Sequence, residues 1–403
     1  MIIRKTSKIS ITDILCMAIF GLSLFAVTFL AITVGGFKLS LFRILVVIAF
    51  LLTILKSLKL NNYIICMAVW LAEALLSYLW CTDTTRWFQA VFFIFIAFAL
   101  VLFYSYNIVN TGVFNKACVF FALLIGVHNF IAYREIATGV YRWADETKVY
   151  ALIRDGSPTS VFSNPNNLAT VLLFGITVLI ICFMNSKIKI MRLLWGGLII
   201  SCIYLIVCTK SRANAIALII GIIFYFLIGS KQSSKRVGFF VALMMIGGLL
   251  AISPVGDLIV SQFSDVVRIK VSEETLRVEL LKTGWDCFID SYGLGVGAGN
   301  LPNKIIDHMG ALGGSLHFWW LEVLFTYGPI VFALYIYSYV KLLLTCINNS
   351  KRGSIISRLF AAYLFAYILG AVSCSSVMGM ETLWCIWAVI IGYENNIDKV
   401  ESL

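Results

Sequence analysis

Charge is what this chain has least of. Only 13% of its 403 residues are Asp, Glu, Lys or Arg, against 61% hydrophobic, and the mean hydropathy is +0.96. That is too little polar surface to cover a soluble globule of this length, so the composition excludes a water-soluble fold and specifies a polytopic membrane protein. No internal repeat or low-complexity stretch divides it, so residues 1–403 read as one integral domain. The sequence also lacks an Asp-x-Asp motif, and its eleven scattered cysteines show neither zinc spacing nor a disulfide framework. No metal site and no cofactor are expected. The basic residues behind the net charge of +11 stand in small groups between apolar runs. Anionic headgroups and cytoplasmic retention explain them, and nucleic acid is excluded as a partner.

The sequence is rich in apolar windows. They predict helices near 13–34, 39–55, 63–80, 88–106, 112–132, 165–184, 192–208, 213–229, 237–252, 317–346, 359–378 and 381–393. The expected fold is therefore all-α, a bundle of about 12 transmembrane helices with a large extracytoplasmic helical loop before the tenth. The apolar run after the N-terminal Arg4, Lys5 and Lys8 resembles a signal peptide but lacks a small-residue cleavage site and is expected to be the first anchor. Cations sort to alternate connections, with Lys56, Lys187, Lys189, Arg192, Lys351 and Arg352 on one side. The positive-inside rule places that side in the cytoplasm and the two long polar segments, 133–163 and 253–316, outside. All five prolines fall in or beside that outer half.

Candidate chemistry gathers on the same side. In the first outer segment Arg134, Arg142 and Arg154 alternate with Tyr133, Tyr141, Trp143 and Tyr150, a mixture that suits sugars or phosphates, although Trp and Tyr at a membrane interface are more often simple anchors. Asn164 and Asn166 flank Pro165, where an amide caps the coming helix or meets a ligand. Arg212 opens the eighth span on a face that should be poor in cations, and its planar fork matches phosphate oxygens.

Within the large loop, Leu258, Ile259, Phe263, Val266 and Val267 outline a helix lying on the bilayer, and Ser272 is placed to cap the next one. From spacing alone, Arg277 reads equally as a solvated helix charge and as a ligand-facing cation beside Leu281 and Trp285. Gly293, Gly295, Gly297 and Gly299 form a close-packed loop, since the strand and helix that a nucleotide-binding turn requires are missing. His317 is one of three histidines and enters the next span with Trp319, Trp320 and Glu322, where it reads as a satisfied interfacial histidine or, as a neutral imidazole, as a suitable general base. Glu73 is an intramembrane carboxylate and so a functional candidate, with pairing to an inward-facing Arg43 as the structural alternative.

Ser211-Arg212, the helix bearing Arg277, GVGAGN at 295–300 and LHFWWLEVLFTYG at 316–328, taken in that order, resemble the O-antigen ligase and polysaccharide polymerase family of bacterial envelope enzymes. The resemblance implies residence in the bacterial cytoplasmic membrane and a site facing outside. It implies metal-independent, inverting glycosyl transfer from an undecaprenyl-diphosphate-linked oligosaccharide to a sugar hydroxyl, with a chain-length regulator and a flippase as further partners. The family's diphosphate-gripping arginines match Arg212 and Arg277, and its catalytic histidine matches His317, although Phe318 stands where the family often has Asn. Candidate sugar-binding side chains are Trp143, Asn164, Asn166, Trp285, Asn300 and Glu322. Polymerisation is the preferred reading, with ligation to a lipid or cell-wall acceptor as the alternative. Export of the lipid-linked glycan is a third reading, which would call for the interrupted midplane helices of a transporter.

Overall fold

Short polar residues set where the helices begin. Asn61 accepts from the Ile64 amide, Asp83 from those of Thr85 and Arg86, and Asn164 from that of Asn166, with Pro165 at the first helical position. Each cap supplies an acceptor that the first turn otherwise lacks. Ser10 and Asp13 form a reciprocal capping box at the first helix.

The structure is a computed structural model that describes residues 10–34, 37–56, 60–108, 111–144, 146–229, 271–309, 316–374 and 377–398. Among them the helices are α1 (Ile11–Leu22), α2 (Leu41–Ile54), α3 (Asn62–Leu76), α4 (Thr84–Asn107), α5 (Thr111–Thr138), α6 (Glu146–Asp155) and α7 (Pro165–Asn185). They continue with α8 (Lys189–Cys208), α9 (Arg212–Gly229), α10 (Val271–Asp290), α11 (Leu301–Met309), α12 (Trp319–Lys351), α13 (Ile355–Ser373) and α14 (Glu381–Asn395). Seven are long and apolar enough to cross a membrane, namely those of α3, α4, α5, α7, α8, α12 and α13. Shorter apolar helices cover Ile11–Phe25, Leu41–Ile54 and Arg212–Ile228. This is a mostly helical, multi-pass membrane bundle. The expected span at 237–252 and the expected surface helix through Phe263 lie outside the described residues.

The expected first span, 13–34, needs correction. Its helix stops after a single 3-10 turn at Ser23–Phe25, and Ile32–Val34 (β1) instead pairs antiparallel with Phe37–Leu39 (β2). Ile32, Thr33 and Val34 are β-branched and precede Gly35-Gly36, a strand-and-turn signal that hydropathy alone overrides. Ser272, expected as a cap, lies inside α10.

Helices α7 and α14 are buried on nearly every side, which accounts for their lack of a polar face. α14 packs along α4, α13 along α9 and α12, and α7 along α8 and α5. A second, smaller core joins α10 and α11 to the start of α12 through Leu280, Phe288, Val296, Ile305, Leu316 and Phe325.

The two ends of the bundle differ. At one, Lys56 Nζ donates to Asn107 Oδ1 at 2.7 Å and Asn349 Nδ2 to Glu394 Oε2 at 2.7 Å. The other holds the long connections, including α6, α10 and α11. Every sequence candidate described below lies at this loop-rich end.

Candidate active site at the loop-rich end of the bundle

The site is framed by a broken helix. Gly328 (φ 77°, ψ 178°) and Pro329 interrupt α12 after its first three turns. Proline offers no amide, so the carbonyl of Phe325 loses its helical partner, and the non-helical backbone at Gly328 breaks the ladder beside it. The glycine loop supplies replacements, with Val296 N donating to Phe325 O and Gly297 N to Thr326 O, both at 2.9 Å. That contact tolerates no side chain, since a Cβ on Gly295 (φ 98°) would lie 2.6 Å from Gly328 N. The loop is close-packed, as its sequence indicated.

Asn300 closes the same junction. Its Nδ2 donates to Val296 O at 2.7 Å and its Oδ1 accepts from Thr82 N at 3.1 Å, and the residue is fully buried. Its amide is therefore spent on tying the loop to the α3–α4 corner. Ala298 N adds a bond to Ser77 Oγ at 3.0 Å, on the same corner. Directly beyond, Asp83 is held below the usual carboxylate range, chiefly by the Arg86 amide.

His317 stands two residues before α12, half-buried, with φ at +52°. A left-handed backbone on a non-glycine residue costs free energy and persists only where the surroundings enforce it. Here Leu316 is buried against Gly284 of α10, where even a Cβ would come within 2.8 Å of it. The other two histidines are accounted for differently. His128 is buried between Phe25 and Phe162, with ring centroids at 4.4 and 5.1 Å, and bonds Ser160 at 2.8 Å. His308 is on α11 and bonds the Lys304 carbonyl in its own helix.

Arg212 opens α9, where Nε and Nη2 are buried and have no hydrogen-bond partner among the described residues. A guanidinium carries five N–H donors, and burying the three on these two nitrogens unsatisfied is costly unless a ligand accepts from them. Two residues on, Asn214 Nδ2 donates to Ser211 Oγ at 2.9 Å, Ser373 Oγ at 2.9 Å and Asn166 O at 3.3 Å. Asn214 Oδ1 accepts from Thr170 Oγ1, which also lies 3.0 Å from Cys374 Sγ. This network fastens the starts of α7 and α9 to the end of α13, and nothing in the sequence but the nearness of Asn214 to Arg212 announces it. Glu322, in the first turn of α12, lies within electrostatic reach of Cys374, and Trp320 Nε1 donates to Ile368 O at 3.0 Å. The first turn of α12 is thus joined to α13 beside the Arg212 network.

The remaining candidates are placed as follows. Asn164 caps α7 and Asn166 is half-buried in its first turn, its carbonyl held by Asn214. Trp143 lies under the Arg142 guanidinium at 5.7 Å, and its carbonyl accepts from Ser163 Oγ. Trp285 is 49% exposed and meets Phe325 edge-on at 5.9 Å. Arg277 is in α10, but its side chain lies outside the described residues. Glu73 does not pair with Arg43. Arg43 is committed to Glu381 at 2.7 Å, and Glu73 Oε2 is buried with no partner among the described residues.

The stretch from α8 into α12 carries the arginine, the glycine loop and the histidine together. Residues 197–336 match the O-antigen ligase family model. The resemblance drawn from the motifs therefore holds, and the matched segment includes Arg212, Arg277 and His317. Over nearly the whole length the chain is also similar to the teichuronic acid biosynthesis protein TuaE of Bacillus subtilis (strain 168), at 26% identity across 93% of this chain and 82% of that one.

Proposed function

We propose that this protein transfers a glycan from a lipid diphosphate carrier to a sugar hydroxyl at the loop-rich end of the bundle, facing outside the cytoplasmic membrane. Two nitrogens of Arg212, buried and without a hydrogen-bond partner among the described residues, carry the reading, because they belong to a planar fork of donors that suits phosphate oxygens. The O-antigen ligase match and the likeness to a teichuronic acid biosynthesis protein both support a role in cell-surface glycan assembly.

A lipid diphosphate is already a good leaving group. The chemistry therefore needs cations on the departing charge and one base on the acceptor, and no metal enters the scheme. His317 removes the acceptor proton as the oxygen attacks the anomeric carbon. The carbon–oxygen bond to the diphosphate breaks, Arg212 and Arg277 take up its charge, and a single displacement inverts the configuration. The glycine loop fixes the broken end of α12 and so the place of His317.

Polymerisation is our first reading, with units added to a growing lipid-linked chain. Ligation to a different acceptor is the second, and the family match and the relative support it equally. The glycan profile of a deletion strain separates them. Single lipid-linked units left outside support polymerase, unattached polymer supports ligase, and units trapped inside would sink both in favour of a flippase.

A further inference from the structure

A cavity of about 230 Å³ lies beside the Arg212 network and plays no part in the scheme above. It is lined by Phe25, Phe162, Ser163, Asn167, Glu381 and Thr382, among others. A water occupies roughly 30 Å³ in the liquid, so the space takes several waters or one six-membered ring. Asn167 belongs to the α7 turn whose Asn166 carbonyl is held by Asn214, so cavity and arginine network share that turn.

We infer that this cavity is the subsite for a neutral sugar ring of the acceptor glycan, with Glu381 accepting a hydrogen bond from a ring hydroxyl. The inference rests on the glycosyl-transfer reading. Glu381 is 1% exposed, and its Oε1 is bound by Arg43 Nε at 2.7 Å. Its Oε2 is buried with no hydrogen-bond partner among the described residues. A half-satisfied buried carboxylate is costly, and a hydroxyl donor relieves the cost.

The rest of the lining fits the same ligand. Ser163 Oγ donates to Trp143 O at 2.7 Å and Thr382 Oγ1 to Ser23 O at 2.6 Å, so both hydroxyls keep lone pairs that accept from a sugar. Phe25 and Phe162 are fixed by stacking on the two sides of His128 and present apolar surface to the C–H face of a ring. Among the described residues no Lys or Arg lines the cavity, and the nearby Arg43 is engaged by Glu381, so no lining cation is offered to a second carboxylate and a uronic acid is disfavoured at this position.

Saturation-transfer NMR on the full chain in detergent, with glucose, N-acetylglucosamine and glucuronic acid as separate probes, tests this directly. Either neutral sugar should take up saturation and glucuronic acid should not. Glu381→Gln and Phe162→Leu should each weaken the neutral-sugar signal by roughly tenfold, the effect of losing one charge-assisted hydrogen bond or one packed face. Phe162→Leu keeps an apolar side chain and so guards against a folding defect in Glu381→Gln. No signal from either neutral sugar, equal signal from glucuronic acid, or unchanged signal in both folded variants would overturn the subsite. The transfer reading is scored separately by polymer formation. Polymer without sugar binding rejects only the subsite, and sugar binding in a protein whose Arg212 and His317 variants still make glycan rejects only the transfer.

Discussion

Arg43 Nε donates to Glu381 Oε1 at 2.7 Å, binding the first turn of α2 to the first turn of α14 across 338 positions of sequence. Both side chains are buried, at 3% and 0% exposure, and the guanidinium also lies over Phe92 and Phe93 and donates to the Lys38 carbonyl. Removing only one partner strands the other charge. Arg43→Met is expected to cost about 3–5 kcal/mol, and the double change with Glu381→Met should recover most of it. Thermal unfolding of the four proteins in detergent completes the cycle. Unaltered stability in Arg43→Met would show that the pair does not hold the fold.

The glycine loop gives a second expectation. A methyl at position 295 would meet the Gly328 backbone at 2.6 Å, and neither side of that contact is a flexible side chain. Gly295→Ala should therefore lose roughly 1–3 kcal/mol of local stability and most glycan output, while Gly156→Ala, whose Cβ meets nothing, should carry only the strain of its positive φ. Hydrogen exchange at Val296 and Gly297 reads the local effect. Full protection in Gly295→Ala would mean that the loop does not depend on its contact with α12.

Asp83 supplies a pH test. Its carboxylate accepts from the Thr85 and Arg86 amides at 3.0 Å and is held below its ordinary value, so it binds protons less readily folded than unfolded. The stability it contributes is present above the unfolded carboxylate value of about 3.9 and is lost as pH falls through the depressed folded value. Asp83→Asn still caps α4 but cannot ionise, so its unfolding should depend less on pH below about 4 than the wild type's. Parallel pH profiles would remove Asp83 as the cause.

Much of this was legible in the residues, and the failures have physical reasons. Asn164-Pro165 marked the start of α7 because capping is local, and the glycine run was read as a packed loop because no strand precedes it. The hairpin through Ile32 was hidden by hydropathy, which weighs β-branched and helical apolar residues alike. Glu381 as the partner of Arg43 could not be read at all, since a contact 338 residues away leaves no periodicity. Asn300 had a signal that was available, because an Asn ahead of Leu301-Pro302 marks a helix start, yet its bonds to Thr82 and Val296 come from elsewhere in the fold.

The donor site is tested by charge-preserving change. Arg212→Lys and Arg277→Lys keep the charge but lose the planar fork, so each should impair glycan formation nearly as much as alanine does. At position 212 the effect should be large, because two buried nitrogens await acceptors there. Near-normal polymer from both lysine variants would make these ordinary helix charges.

His317 carries the proposed base, and the three histidines form an internal set of controls. His308 is exposed and, among the described residues, bonds within its own helix, so His308→Ala should change glycan output little. His128 is fully buried in its aromatic stack, so His128→Ala should lower stability by leaving a cavity and an unpaired Ser160, with output falling only as folded protein falls. His317→Gln keeps a hydrogen-bonding side chain at the strained position but cannot take the acceptor's proton, so it should remove about 10²–10⁴ in rate without lowering the unfolding temperature. His317→Gly serves as the reverse control, because relief of the positive φ should hold or raise stability while activity is still lost. In vitro polymer formation, normalised to folded protein, separates the cases. Normal turnover in His317→Gln would end the assignment of the base, and a parallel loss of stability and output in both His317 variants would reduce the residue to a structural part.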